Sequence, residues 1–234
     1  MKAFALPMLI TSAFFASVFS DVKPVQKTKI LVDNSRLTYN VNDDKKLDGA
    51  YFVENTNRKI WLRGTYKENT RAGNWYAFNS DGSTFLRYNY DLNKLIALDT
   101  VALKKAEISI TDKNPDAAKN GSVVLPICSI DQYSSLLGEA AKAQFPKEIV
   151  VYNSPIDINI IAKVKSKTDV SYIITYQHKN NWYSYQLKEK DMDFKIDWIP
   201  STYDGKDVEA EFKVATKIVF TNNGTEKQRF VWNY

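Results

Sequence analysis

Residues 48–66 (DGAYFVENTNRKIWLRGTY) return, shifted by 24 positions, as residues 72–90 (AGNWYAFNSDGSTFLRYNY). Five positions are identical between the two stretches and aromatic residues match aromatic residues at three more. The matched pairs are Gly49/Gly73, Asn55/Asn79, Leu62/Leu86, Arg63/Arg87, Tyr66/Tyr90, Tyr51/Trp75, Phe52/Tyr76 and Trp61/Phe85. A repeat of this length is one supersecondary unit that buries its apolar face against its neighbour. We therefore expect a repeat array, an architecture that usually serves as a scaffold or binding surface.

The repeats read as antiparallel strands. Aromatic and β-branched residues cluster in four short runs, which lie at 50–53, 60–66, 74–78 and 84–90. Turn-forming segments rich in Asn, Asp and Gly separate these runs. The pattern predicts a β-meander within residues 28–99, with one hairpin in each repeat.

The second half of the chain mixes one helix with strands. Residues 131–144 have helical spacing, with Asp131 or Ser129 as the N-cap and Pro146 just past the end. Strict alternation of apolar and polar residues predicts strands at 156–164, 170–176 and 211–220. The segment 182–198 is compatible with a hairpin strand or with a short helix, and both remain open.

Together these patterns predict a β-rich α+β protein. Its N-terminal part is an antiparallel β-hairpin repeat array, and its C-terminal part is a small domain with a helix packed on an antiparallel sheet. The expected organisation is a signal peptide at 1–20, a repeat module at 21–103, a linker at 104–121 and the α+β domain at 122–234. The linker is placed where the composition shifts to Lys, Asp, Asn and Ala.

The first twenty residues have the features of a secretory signal peptide. Lys2 precedes a largely apolar run at 3–19, and small residues stand before the expected cleavage after Ser20. The run is shorter than the roughly 20 apolar residues that span a bilayer. We expect an exported protein, periplasmic or secreted, without a transmembrane span once the signal is removed.

Charge and chemistry narrow the class of function. The 32 basic and 27 acidic residues are mixed along the chain, without the basic blocks that follow a phosphate backbone, so nucleic acid is not an expected partner. His178 and Cys128 are the single histidine and cysteine, too few for an ordinary zinc site, and the flanks of Cys128 indicate a buried side chain. No nucleophile elbow or phosphate-binding glycine loop is present. We expect a protein that is not an enzyme and has no cofactor or metal.

Residues 48–91 resemble MORN-like repeats of exported bacterial proteins. The residues that carry the resemblance are Gly49-Ala50-Tyr51, Gly64-Thr65-Tyr66, Gly73-Asn74-Trp75, Gly82 and Tyr90. The resemblance implies a β-hairpin array and no catalytic group.

Residues 125–220 resemble the C-terminal domain of the TonB family. The resemblance is carried by Gln144-Phe145-Pro146, the hairpin 155–177, Trp198-Ile199-Pro200 and the segment 204–208. It implies recognition by β-augmentation, in which an extended peptide pairs with an exposed strand edge. The candidate edge is the strand 211–220, unless the tail 228–234 covers it or Lys213 and Lys217 blunt it. The candidate binding residues on this strand are Phe212, Val214, Thr216 and Ile218.

The expected function is therefore non-catalytic binding of a protein partner of unknown identity in the cell envelope. The alternative is a secreted protein that binds carbohydrate or a surface polymer through aromatic rings on the repeat face. The candidate rings are Tyr51, Trp61, Trp75 and Tyr76. Rings at strand spacing are also common as core and cross-strand pairs, so this assignment depends on which face they occupy.

Overall fold

The computed structural model describes residues 24–142, 144–150, 154–188 and 192–220. The predicted signal peptide and the tail 228–234 lie outside the described residues. Within the described ranges the protein is β-rich and its sheets are antiparallel, as the sequence predicts. No helix in these ranges is long and apolar enough to cross a membrane.

The first sheet has seven strands that follow one another in chain order, each paired antiparallel with the next. This arrangement confirms the predicted meander and extends it by strands at both ends. The alternation of aromatic or aliphatic residues with polar ones gives the sheet one apolar face. The strands are β1 (Val25–Ile30), β2 (Arg36–Val41), β3 (Leu47–Glu54), β4 (Ile60–Lys67), β5 (Thr70–Phe78), β6 (Thr84–Asn89) and β7 (Lys94–Leu98).

The turns of this sheet repeat with the period of the sequence repeat. Asn34, Arg58 and Gly82 stand 24 residues apart in sequence. They have left-handed φ angles of 63°, 61° and 92°. Each donates its backbone N–H to the carbonyl oxygen three residues earlier, at 2.9 Å. The period therefore begins one unit before residue 48, in a segment whose side chains do not reveal it.

The second sheet has five strands in the order β12-β11-β10-β16-β8. The edge strand β8, which is the first of the five along the chain, comes from residues 104–121, which the sequence analysis assigned to a linker. That assignment is wrong for β8, because its backbone pairs with β16 from Ala106 to Ile110. The strands are β8 (Ala106–Ile110), β10 (Pro155–Val164), β11 (Val170–His178), β12 (Asn181–Leu187) and β16 (Ala210–Val219).

The segment 182–198, for which the sequence allows a strand or a short helix, contains a strand. Residues 182–187 belong to β12, and no helix is present in the described residues 192–198. Short ladders join β9 to β13 and β14 to β15. These strands are β9 (Leu125–Pro126), β13 (Trp198–Ile199), β14 (Ser201–Tyr203) and β15 (Lys206–Val208).

Three helices lie in the described ranges: α1 (Thr100–Leu103), α2 (Pro115–Asn120) and α3 (Ile130–Lys142). The longest, α3, is the helix predicted from the sequence. Ser129 is its N-cap, because its Oγ accepts the backbone N–H of Gln132 at 3.2 Å. Nearly every side chain of α3 is buried, including Tyr133, Leu136 and Leu137.

One hydrophobic core connects the two halves. It runs from inward residues of the first sheet, such as Leu62 and Trp75, through α3 to inward residues of the second sheet, such as Ile160 and Phe212. The apolar face of the repeat array is thus covered by the rest of the chain.

Candidate functional site

Two of the four candidate ring residues lie in the core. Trp75 is fully buried and Tyr51 is 8% exposed, and their ring centroids are 5.4 Å apart. Tyr66 and Tyr90 pack against the same Trp75 ring at 5.3 and 5.7 Å. Because a sugar cannot reach buried rings, the prediction that Tyr51 and Trp75 form a binding surface is wrong.

A cationic side chain, Arg71, lies beside these rings and joins the two halves. The Arg71 guanidinium lies 3.9 Å from the centroid of the Trp75 ring, and Arg71 Nε forms a 2.8 Å ion pair with Asp197 Oδ2. Tyr90 donates its hydroxyl hydrogen to the same carboxylate oxygen at 3.0 Å. Burial alone would lower the pKa of Arg71, but Asp197 and the neighbouring tyrosines raise it, so the guanidinium stays charged.

Further polar contacts hold the first sheet against the second half. The backbone N–H of Ser80 donates to Asp131 Oδ2 at 2.8 Å, and Ser135 Oγ donates to Asp33 Oδ2 at 2.8 Å. The inner face of the sheet is therefore a structural interface within the chain.

One of the other two candidate rings, Tyr76, occupies the outer face. Trp75 and Ala77 point inward, so Tyr76 between them points outward. Trp61 stands at a register shift of the β3–β4 ladder, where alternation does not assign its face. The side chains of Tyr76 and Trp61 are both half-buried. Arg63 and Arg87 lie beside the Tyr76 ring, with guanidinium carbons 4.8 and 5.4 Å from its centroid. The arginine positions match in the sequence repeat, but the sequence analysis did not assign them to a site.

The candidate edge strand β16 is not an edge in its first part. Phe212 and Val214 pair with Ile108 and Ala106 of β8, while β10 pairs along the whole opposite side of the strand. Phe212, Val214 and Ile218 are also buried on the inner face. As edge residues, Phe212 and Val214 are therefore wrong predictions, because β8 supplies the missing neighbour.

The second part of β16, residues 215–219, has a different environment. Among the described residues no strand pairs with it on the side away from β10. Thr216 and Ile218 fall in this part. Alternate residues of any strand direct their backbone N–H and C=O groups to the same side, so this part presents hydrogen-bonding groups to a partner.

A groove of about 520 Å³ runs along this unpaired part. Its walls come from β16, from the start of α3, from β10 and from the exposed ring of Trp182, which is 63% exposed. Two ion pairs line the groove: Lys217 with Asp157 at 3.3 Å and Lys105 with Asp131 at 3.9 Å. The lining includes Ile130, Ser134, Asn159, Val214 and Thr216.

Two observations on the described residues concern thiol and metal chemistry. Cys128 is fully buried, as the sequence predicts, and its burial raises the pKa of the thiol far above the ordinary value. Within the described ranges no group of three His, Cys, Asp or Glu side chains could hold a metal ion.

Comparisons of the chain with protein-family models, with curated proteins and with solved structures give no match.

Proposed function

We propose that this chain is an exported cell-envelope protein that binds a protein partner without catalysing a reaction. The partner would supply an extended segment that pairs with the unpaired part of β16. The observation that carries the proposal is the coincidence of that part, residues 215–219, with the 520 Å³ groove. The signal-like N-terminus supports export.

In this proposal the C-terminal half is a TonB-like unit with α3 packed on the five-stranded sheet, and the N-terminal half is a MORN-like array. The ring contact of Tyr133 on α3 with Phe212 on β16, at 5.4 Å between centroids, supports that packing. Tyr133 also contacts Trp198 at 6.0 Å, and Trp198 belongs to the motif on which the resemblance rests. The helix would hold β16 in place while its outer edge is used for binding.

The chemistry of the groove defines the bound segment. Backbone groups of β16 would bond the segment's backbone, which gives affinity with little dependence on sequence. Side chains on one side of the segment would contact Ile130 and Trp182, so alternate positions should be apolar. The paired charges at the ends, Lys217–Asp157 and Lys105–Asp131, favour neither an acidic nor a basic segment.

Site-specific photo-crosslinking tests this proposal. A photo-reactive amino acid at position 215, which is exposed on the unpaired edge, should capture one partner from envelope extracts. The same amino acid at position 92, which is exposed in the turn between β6 and β7, should not capture that partner. The crosslinked segment, identified by mass spectrometry, is then synthesised as a peptide.

Binding of this peptide tests whether it forms backbone hydrogen bonds with β16. N-methylation at alternate amides should weaken its binding at least tenfold if it forms a strand, because each methyl group removes a ladder hydrogen bond. Unchanged binding of the methylated peptide, or equal capture from position 92, would contradict β-augmentation at this edge.

A further inference from the structure

The outer face of the first sheet carries a row in which rings and cations alternate. The strand register places Phe52 of β3 opposite Arg63 of β4, Arg63 opposite Tyr76 of β5, and Tyr76 opposite Arg87 of β6. Neighbouring strands are about 4.8 Å apart, so the two arginine positions lie about 10 Å apart across the sheet. A chain laid across the strands would meet a flat ring and a guanidinium in turn.

Side chains on both sides extend this row into a surface. The Phe78 ring stacks beside Tyr76, with centroids 6.3 Å apart and an interplanar angle of 15°. On the other side, Asn74 Oδ1 accepts hydrogen bonds from Arg87 Nε at 3.2 Å and from Asn89 Nδ2 at 3.0 Å. These contacts orient the Arg87 side chain and place two amide groups beside it.

The row carries positive charge that is not neutralised within the described part of the chain. Neither Arg63 nor Arg87 forms an ion pair there, whereas Arg71 on the inner face does. The acidic residues of β3 are Asp48, four positions from Phe52, and Glu54, which the register places opposite Arg36. A ligand for the row itself should therefore be anionic.

We propose that this face binds an acidic polysaccharide whose sugar rings carry carboxylate groups. Each group on the surface has a partner in such a polymer. The Tyr76 and Phe78 rings offer flat apolar surface to the C–H face of a sugar. The Arg63 and Arg87 guanidiniums bind carboxylates in bidentate geometry. The Asn74 and Asn89 amides donate and accept hydrogen bonds with hydroxyl groups.

An anionic lipid surface fits this face less well. Membrane-surface binding relies on apolar side chains that protrude into the headgroup region. Here the Phe52, Tyr76 and Phe78 rings are half-buried, and Phe78 lies parallel beside Tyr76. The site is distinct from the groove at β16, and the two proposals can fail separately.

The test measures binding of polygalacturonate by affinity electrophoresis and calorimetry. The wild-type protein should bind polygalacturonate and should bind its carboxyl-reduced, neutral form at least tenfold more weakly. The double variant Arg63→Gln/Arg87→Gln should lose at least tenfold in affinity for polygalacturonate. The variant Arg63→Lys/Arg87→Lys keeps the charge and removes the planar guanidinium. Its affinity for polygalacturonate should lie between those of the wild-type protein and Arg63→Gln/Arg87→Gln.

A matched control separates this site from general charge. Arg58→Gln/Lys119→Gln removes the same charge from an exposed turn and from α2, and it should change affinity by less than twofold. Circular dichroism melts verify that each variant is folded.

Three results would overturn the proposal. The first is an equal loss of affinity in Arg63→Gln/Arg87→Gln and in the control Arg58→Gln/Lys119→Gln. The others are equal binding of the neutral and the charged polymer, and no binding of polygalacturonate by the wild-type protein. Binding to phosphatidylglycerol vesicles in place of the polymer would also overturn it and would identify a lipid surface. Loss of photo-crosslinking at position 215 bears only on the groove, because none of these substitutions touches it.

Discussion

At the scale of single residues, Gly64 is required by its contact with the Trp75 ring. A Cβ atom added to Gly64 would lie 2.1 Å from Cδ2 of the Trp75 ring. The indole therefore lies directly against the backbone of the neighbouring strand, and its Nε1 donates to the carbonyl oxygen of Thr65 at 3.3 Å. Glycine at this position serves close packing and not a turn.

Gly64→Ala should lower the free energy of unfolding by about 3 kcal/mol, because the buried Trp75 ring cannot move away from the new methyl group. Gly73→Ala is the matched control. Its Cβ would meet no atom within 4 Å, and its φ of 61° costs only about 1 kcal/mol for a left-handed non-glycine residue. Urea unfolding measures both. Equal losses for the two variants would show that the Gly64 contact is not as tight as described.

At the scale of elements, the turns carry the repeat more faithfully than the strands. Asn34, Arg58 and Gly82 occupy the same left-handed position in successive units, although their side chains have little in common. All three turns require a residue with a left-handed φ angle, and the free-energy cost of that conformation differs among the three residues. Glycine adopts this conformation freely, asparagine adopts it readily and arginine does not.

Arg58→Gly should therefore stabilise the protein by about 0.5 kcal/mol, since the relief of left-handed strain exceeds the added entropy of the unfolded chain. The reciprocal change, Gly82→Ala in the equivalent turn, should destabilise it by about 1 kcal/mol. Thermal unfolding measures the two changes in stability, which should have opposite signs. A loss of stability in Arg58→Gly would mean that the arginine side chain makes a contact worth more than the strain.

At the scale of the whole molecule, the two halves share one core and one buried ion pair. The side chain of Arg71 is 8% exposed, and it contacts Asp197 across the boundary that the sequence suggests between two domains. The inner face of the first sheet, with Leu62, Trp75 and Leu86 fully buried, depends on the second half for cover. Such sharing makes unfolding of one half costly without unfolding of the other.

We expect the protein to unfold in one cooperative transition. Hydrogen exchange should give the same opening free energy for peptides from β5 and from β10. Arg71→Met should lower protection in both by about 2 kcal/mol, because it leaves the partly buried carboxylate of Asp197 without its cation. A variant that lowers protection in β5 alone, or two separate transitions in the wild-type protein, would show independent domains.

The candidate sites were only partly predictable from the sequence. The sequence analysis took Tyr51, Trp61, Trp75 and Tyr76 together as rings of the repeat face, because nothing local to the repeats says which face the rest of the chain covers. The sequence also made β16 a plausible edge, because nothing local to 211–220 reveals that β8 pairs with it. Strand pairing over about a hundred residues depends on contacts that a local pattern does not contain.

The sequence by itself determined the strands of the repeat, the strands β10, β11 and β16, and the helix α3. The 24-residue repeat, the period-two alternation and the helical spacing at 131–144 define strands and a helix through short-range sterics, hydrogen bonds and the burial of apolar side chains. The tertiary structure alone decided which surfaces are available. Docking of the second half buried Tyr51 and Trp75 around Arg71 and left the Arg63–Tyr76–Arg87 row facing outward. Among the described residues it also left β16 without a second neighbour at 215–219. The reason is that cover and pairing come from residues distant in sequence.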